Sequence, residues 1–520
     1  MAAIHVPNEP WDAVIVGSGA TGGWAAKVLA ERGARVLVLE AGPQVRSDAC
    51  APRPWRHRLM RTVQNLRGRQ SVQQRYIGYR AHPPELFIDD RDFPYSTPDE
   101  RPFWWIRGRQ VGGRSLTWGG LSLRFSDYEF GAASRDGVGI DWPFRHADLA
   151  PAYAIVERAY SVRGSSEGLP QLPDGDFQPA ADQSPAELAF KNAIEARWPE
   201  RRVIPTRSIE VRATNPSDWP PMSSQAVTMR DALATGRVTL RSDVVVNQID
   251  VSEDGSRATG VTFLDTSTGS FDQAHGRAVL LCASTLESTR ILLNSRSPRH
   301  PDGLGANSGH LGRYLMDHHT VRAAARFPYP GREPAEYRWG GPNASLIPRF
   351  QNLEESSGDF LRGYGMNLRI QRRKMPVRDG YLLGSLLAQG EMLPRAENHV
   401  TLDPDKTDRW GLPGLRIDCA WSDNETNMVT HMANSVREMV AEAGGELFGD
   451  VHLNQPPGSY VHEVGTARMG ADAETSVVDP DNRIWETPNV LVTDGACWPS
   501  CGWQNPTLTM MAVTVRACQK

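Results

Sequence analysis

Two glycine-rich segments in the N-terminal part of the chain, and one histidine and one asparagine near its end, are the residues whose types and order could do chemistry. Asp12 to Val16 reads DAVIV, a β-branched run suited to a buried parallel strand, and it leads into Gly17-Ser18-Gly19-Ala20-Thr21-Gly22. A glycine turn there lets backbone N–H groups approach a pyrophosphate at the N-terminus of the next helix. Gly17, Gly19 and Gly22 take the glycine positions of G-x-G-x-x-G, with Ala20 and Thr21 in the same turn. Trp24 to Arg32 supplies the helix, Gly33 stops it, and Arg35 to Leu39 returns as a second strand. Glu40, at the end of that strand, can accept hydrogen bonds from a ribose diol and would repel a 2′-phosphate. This is a flavin or nicotinamide site in outline, and the motif leaves FAD against NAD open. Tyr460-Val461-His462 and Gln504-Asn505-Pro506 lie beside segments suited to face a cofactor, and with the dinucleotide unit they suggest hydride chemistry on an alcohol.

Other segments must carry these residues. Arg107-Gly108-Arg109-Gln110-Val111-Gly112-Gly113-Arg114-Ser115 is a second glycine-rich loop, followed by Leu116-Thr117-Trp118-Gly119-Gly120. Paired glycines on both sides suggest backbone packed against a flat ligand. Arg237 to Val246 and Ala258 to Leu264 alternate like antiparallel strands, Ala278 to Cys282 reads as a buried strand, and Ser284 to Leu293 as a helix after it. The stretch Leu311 to Gly449 is consistent with an antiparallel sheet and loops. Within it Asp423 to Ala443 has helical spacing, with Met428, Met432, Val436 and Met439 in an apolar stripe expected in the core. Asp317-His318-His319 resembles a metal pair, but adjacent histidines point to different sides, so a structural or substrate-lining role is expected. Cys497 and Cys501 have no nearby partners, and packing explains them better than a metal. No metal site is expected.

Composition bounds the rest. The chain has 520 residues, 40% hydrophobic and 23% charged, enough for two packed regions. A net charge of −4 gives no basic footprint for nucleic acid. No apolar stretch approaches the ~20 residues of a membrane span, and no signal peptide precedes the first strand. Six scattered cysteines fit a reducing compartment, so a cytoplasmic location is expected.

The chain resembles the glucose-methanol-choline (GMC) oxidoreductase family. The resemblance rests on the N-terminal dinucleotide motif, on Val111-Gly112-Gly113-Arg114-Ser115 with Trp118, and on Ala283-Ser284-Thr285-Leu286-Glu287-Ser288. At the C-terminal end it rests on His462-Glu463-Val464-Gly465-Thr466, Thr493-Asp494-Gly495-Ala496 and Asn505-Pro506-Thr507-Leu508-Thr509. It implies an α/β plus α+β architecture, a Rossmann-like FAD-binding domain with an interleaved antiparallel-sheet substrate domain. The expected division is 1–165, 231–310 and 456–520 for FAD binding, and 166–230 and 311–455 for substrate. Gly22-Gly23-Trp24-Ala25-Ala26-Lys27, Asp141-Trp142-Pro143, Leu315-Met316-Asp317-His318-His319 and Gln504-Asn505-Pro506 are similar to the bacterial branch with glucoside 3-dehydrogenases, C-glycoside 3-oxidases and pyranose oxidases.

In that family pattern His462 is the base that takes the alcohol proton, and Asn505 holds the alkoxide-like oxygen. The expected cofactor contacts are Gly17, Gly19, Ala20, Thr21, Gly22, Glu40, Arg109, Gly112, Gly113, Ser115, Thr117, Trp118, Asp494, Gly495, Asn505, Pro506 and Thr507. Asn505 is also expected to cap the final helix, pointing its positive end at the flavin. Thr117 stands where covalent pyranose oxidases carry a flavin-tethered histidine, so the FAD is expected to be non-covalent. Arg212 to Met229 lacks the cysteine cluster of many glucoside 3-dehydrogenase subunits. The activity implied is oxidation of a secondary hydroxyl, at C3 of a sugar or glycoside, with O2 or another acceptor. A non-sugar alcohol and a cyanohydrin lyase reaction on the same fold are the alternatives. Trp104, Trp105, Trp498 and Trp503 are candidates for stacking on a sugar.

Overall fold

The computed structural model describes residues 9–51, 54–215, 217–331, 345–354, 356, 358–371, 380–453 and 455–520. Parts of the expected substrate sheet, at 332–344 and 372–379, lie outside the described residues.

The strand Trp11–Val16 forms as its β-branched run dictates, and its burial on both faces requires partners on both edges. It pairs in parallel with Val36–Leu39 on one side and with Ser270–Leu281 on the other. Val238–Arg241 and Thr487–Val492 extend this parallel core, so the chain returns to one sheet from three distant stretches. Two antiparallel strands, Val244–Val251 and Ala258–Asp265, hang from the long strand Ser270–Leu281. The expected strand Arg237 to Val246 is therefore two strands. Asp243 at φ +60° breaks it, and the amide of Val244 bonds the carbonyl of Glu40.

The helix after the first strand runs Ala20–Glu31 and not from Trp24. It starts inside the glycine turn, which leaves its free N–H groups at the mouth of the sheet. Gly33 ends it at φ +96°. Helix and strand meet closely because Gly17 and Gly22 have no side chain. A Cβ on Gly22 would collide with the carbonyl of Gly17, and one on Gly17 with the carbonyl of Cys282.

A second sheet of six strands is antiparallel, in the order Glu446–Leu447, His319–Pro328, Tyr381–Gly390, Tyr364–Ile370, Ser345–Ile347, Ile204–Pro205. Its two faces differ. Val321, Ala323, Ala325 and Phe327 alternate onto the face covered by the helix Asp423–Glu442, whose Met428, Met432, Val436 and Met439 are buried there. Thr320 and Arg322 point the other way, and across the strands Gln389 lies opposite Thr320 and Gly365 opposite Gln389. At Gly365 a Cβ would strike the ring of Trp503, so this face abuts the segment that leads to Asn505. The final helix, Thr507–Gln519, packs back against Ala20–Glu31. Among the described residues no helix is long and apolar enough to cross a membrane.

Gly22→Ala should lower thermal stability by on the order of 1–3 kcal/mol, since the helix must move off the strand turn. Gly19→Ala should leave the melting temperature of the cofactor-free protein unchanged, because a Cβ there meets only the Gly112 carbonyl, at 3.8 Å. Thermal unfolding of both cofactor-free variants checks the contrast.

Candidate active site

The two glycine-rich loops converge. The amide of Gly112 donates to the hydroxyl of Ser18 at 2.9 Å, and a Cβ on Gly113 would lie 3.6 Å from the Cα of Gly19. Gly112 and Gly113 take φ +94° and +51°, conformations that glycine adopts without strain. Ser115 donates to the Gly112 carbonyl at 2.6 Å and accepts from the Ser224 amide at 3.0 Å, which ties this loop to the next segment. Thr117 follows at the loop's end, with its hydroxyl near the carbonyl of Arg114, and Trp118 donates from Nε1 to the Met222 carbonyl at 3.0 Å.

Glu40 sits at the edge of this cradle and is buried. Its carboxylate accepts from the amide and hydroxyl of Ser18, at 3.0 and 2.6 Å, and from the amide of Gly42 at 2.9 Å. Burial pushes its pKa above the ordinary carboxylate range, with these donors opposing. The guanidinium of Arg109 lies over Phe93 at 4.2 Å and within 3.7 Å of Glu287. Its buried Nη1 has no hydrogen-bond partner among the described residues. An orphaned cationic donor, open space above Gly19 and free N–H groups at a helix start suit an anionic dinucleotide. On the far side Asp494 accepts from Ser288 Oγ at 2.5 Å and from the Ala496 amide at 3.0 Å, which fixes the turn at Gly495. Burial raises the Asp494 pKa to about 6.

His462 and Asn505 come together at the seam between the two sheets. Nδ2 of Asn505 lies 3.4 Å from Nε2 of His462. The amide is oriented by Gln389, whose Nε2 donates to Asn505 Oδ1 at 3.0 Å and to the Trp503 carbonyl at 2.8 Å. Gln389 is itself held by the hydroxyl of Tyr460, which donates to its Oε1 at 2.8 Å. Asn505 does not cap the final helix as expected. Pro506 occupies the cap position, and the Asn505 side chain is committed to Gln389 and His462.

The loop carrying His462 is clamped from behind. Asp317 accepts from the Gly458 and Tyr460 amides at 2.8 and 3.2 Å with Oδ2, and from the His462 amide at 3.0 Å with Oδ1. Between them Val461 is held at φ +63°, a strained conformation for a β-branched residue. Burial pushes Asp317 up to about 7, Glu463 adds to the rise, and the backbone donors oppose it. Arg114, from the second glycine loop, pairs with Glu463 at 2.9 Å and donates to the Val461 carbonyl at 3.2 Å. The cofactor-type loop and the histidine loop are thus joined directly.

His318 and His319 diverge as adjacent side chains must. His319 turns to Trp421, while His318 is buried against His462, with Nδ1 to Nδ1 at 2.8 Å. Desolvation lowers the pKa of His462 well below the ordinary value and that of His318 to about 3. Sequence reasoning gave Gln389 and Tyr460 no role, and no spacing in the chain links them to Asn505. Trp498 and Trp503 are fully buried, Trp498 edge-on to Phe125 and Trp142, so they serve packing.

Residues 214–320 and 394–514 match the family description "GMC oxidoreductase", and residues 15–71 match "NAD(P)-binding Rossmann-like domain". The chain is 30% identical to the 2-methyl-1,2-propanediol dehydrogenase of Mycolicibacterium austroafricanum, over 97% of this chain and 94% of the relative. It is 25% identical to the C-glycoside 3-oxidase of Arthrobacter globiformis, over 98% of this chain and 94% of that protein. Its fold is similar to that of pyridoxine 4-oxidase from Mesorbium loti, with a TM-score of 0.63, 18% identity and 98% of each chain covered.

Removing the clamp tests the loop geometry. Asp317→Ala leaves three backbone donors without acceptors, at about 1–3 kcal/mol for each that stays dry. The amides of Gly458, Tyr460 and His462 should then exchange with deuterium faster than in the wild type.

Proposed function

The chain belongs to the GMC oxidoreductase family, and from that premise we propose that it is an FAD-dependent enzyme oxidising a secondary hydroxyl, at C3 of a sugar or glycoside, to a ketone. The observation that carries the reading is the pair of nitrogens at the seam. Asn505 Nδ2 is a donor by its orientation and His462 Nε2 lies 3.4 Å from it, so one hydroxyl oxygen between them can accept from the amide and donate to the imidazole.

His462 is the base. Its pKa is held low by burial, so it is neutral near pH 7 and takes the hydroxyl proton on Nε2. Asn505 stabilises negative charge on the carbinol oxygen as the O–H bond breaks, and its amide cannot compete for the proton. FAD, when bound, accepts the carbon-bound hydrogen as hydride. Gly17, Gly19, Ala20, Thr21, Gly22, Gly112 and Gly113 would hold its pyrophosphate by backbone contact, Glu40 and Arg109 its adenosine end, and Asp494 and Gly495 its ribityl side. Ser115, Thr117, Trp118, Pro506 and Thr507 would frame the ring, without a covalent tether at Thr117. The five-segment division at residues 165, 230, 310 and 455 belongs to this proposal.

The glycoside substrate is supported by the C-glycoside 3-oxidase relative and by Arg322, which shares the substrate-facing side of the sheet and lies 5.9 Å from the ring of Tyr460. A guanidinium there can donate to sugar hydroxyls. A second reading, a small diol as substrate, is supported by the propanediol dehydrogenase relative. O2 or another acceptor would complete the cycle.

An anaerobic titration with glucose, an O-glucoside, a C-glucoside and a 1,2-diol should bleach the flavin absorbance with the preferred substrate. Bleaching by the diol alone would move the assignment to the second reading, and bleaching by none would overturn alcohol oxidation. Rapid recolouring with peroxide on admitting air would mark an oxidase. His462→Ala should retain FAD while its rate of flavin reduction falls about 10²–10⁴-fold. An unchanged rate would remove His462 as the base.

A further inference from the structure

We propose that His318 is a positioning residue for the reaction, fixing the tautomer of His462 so that Nε2 is bare and accepting a hydrogen bond from His462 once it is protonated. The role rests on the alcohol-oxidation reading above, but the geometry behind it is independent of any substrate.

The argument is a proton count along a buried chain of three groups. Nε2 of His318 lies 2.7 Å from the carbonyl oxygen of Gly502. A carbonyl can only accept, so this nitrogen carries the proton. A neutral imidazole has one N–H, which leaves Nδ1 of His318 with a lone pair. That lone pair faces Nδ1 of His462 at 2.8 Å, so His462 must donate there. His462 is thereby in its Nδ1–H form, and its free lone pair sits on Nε2, the nitrogen facing Asn505. Reversing any one proton sets two N–H groups, or a lone pair and a carbonyl, against each other inside the protein.

When His462 takes a proton on Nε2, its Nδ1–H still points at the His318 lone pair, so the positive charge gains an oriented acceptor without rearrangement. A carboxylate at this place would do the same but would also raise the proton affinity of His462. A neutral imidazole orients the base and leaves it deprotonated toward lower pH. Each neighbouring titratable group is already committed. Asp317 binds the His462 backbone, Glu463 pairs with Arg114, Tyr460 is edge-on to both rings and bonds Gln389, and His319 faces Trp421. None of them reaches His462 Nδ1 in place of His318.

The test compares His318→Leu with His318→Gln, in holoenzyme. Leucine fills the site without polar atoms, whereas the glutamine amide again presents an acceptor to His462 and a donor to Gly502. In His318→Leu, FAD content and KM should stay within about twofold while flavin reduction slows on the order of 10²-fold, and His318→Gln should recover most of the rate. In ¹⁵N-histidine NMR, wild-type His462 should be protonated at Nδ1 and bare at Nε2, and the leucine variant should lose that preference. Stability gives a third readout. A histidine whose folded pKa is lowered from 6.5 to about 3 contributes stability that is present above pH 6.5 and lost as pH falls toward 3, so the acid slope of the melting temperature should flatten in His318→Leu. A wild-type reduction rate in His318→Leu, or an Nε2-protonated His462 in the wild type, would overturn the proposal. Equal slowing of both variants with loss of FAD would reduce His318 to packing. A wild-type enzyme that no alcohol reduces, with the NMR result intact, would instead overturn only the reading of the reaction.

Discussion

The site depends on a dipeptide. Asp317 holds the backbone of the histidine loop through three amides, and His318 meets the His462 side chain at 2.8 Å. Both residues stand just before the strand His319–Pro328, so the two-sided grip on one loop is anchored in the antiparallel sheet. The strain at Val461 shows what the grip does. A β-branched residue persists in that conformation only where its surroundings over-determine it. Buried carboxylate oxygens, each with backbone donors at hydrogen-bond distance, supply that constraint in a place where water cannot substitute.

From that point the two sheets act as jaws. The parallel sheet presents a helix start and two glycine loops, and collisions awaiting a Cβ at Gly17 and Gly22 keep its turn closed. The antiparallel sheet presents Gln389, which holds the Asn505 amide, with Arg322 on the same side. Arg114 bridges them by pairing with Glu463, one residue after His462. Movement of the second glycine loop would therefore be felt at the histidine through a single buried ion pair, where one partner cannot leave without stranding the other.

Much of this was legible in the chain. The strand, glycine turn, helix and terminal acid of the first unit are a local pattern, and the structure keeps them with small shifts in bounds. The helix starts at Ala20, earlier than the Trp24 that hydrophobic spacing suggests, because spacing does not register free N–H groups in a glycine turn. The break at Asp243 was hidden because residues on both sides of it have strand character, and only the pairing partners reveal a change of direction. Asn505 was read as a helix cap from local preference, and a tertiary contact with Gln389 outbid it.

The sequence by itself determined the parts. It specified a dinucleotide-type unit, the second glycine loop, the apolar stripe of Asp423–Glu442 and the family to which His462 and Asn505 belong, since each is a matter of local periodicity, residue type or motif order. Only the tertiary structure decided which groups touch His462. His318, Gln389 and Tyr460 come from separate strands and loops, and their hydrogen bonds exist because two sheets close on each other. The protonation pattern of the site follows from those bonds, because a donor or acceptor role is a property of a pair of atoms and not of a residue.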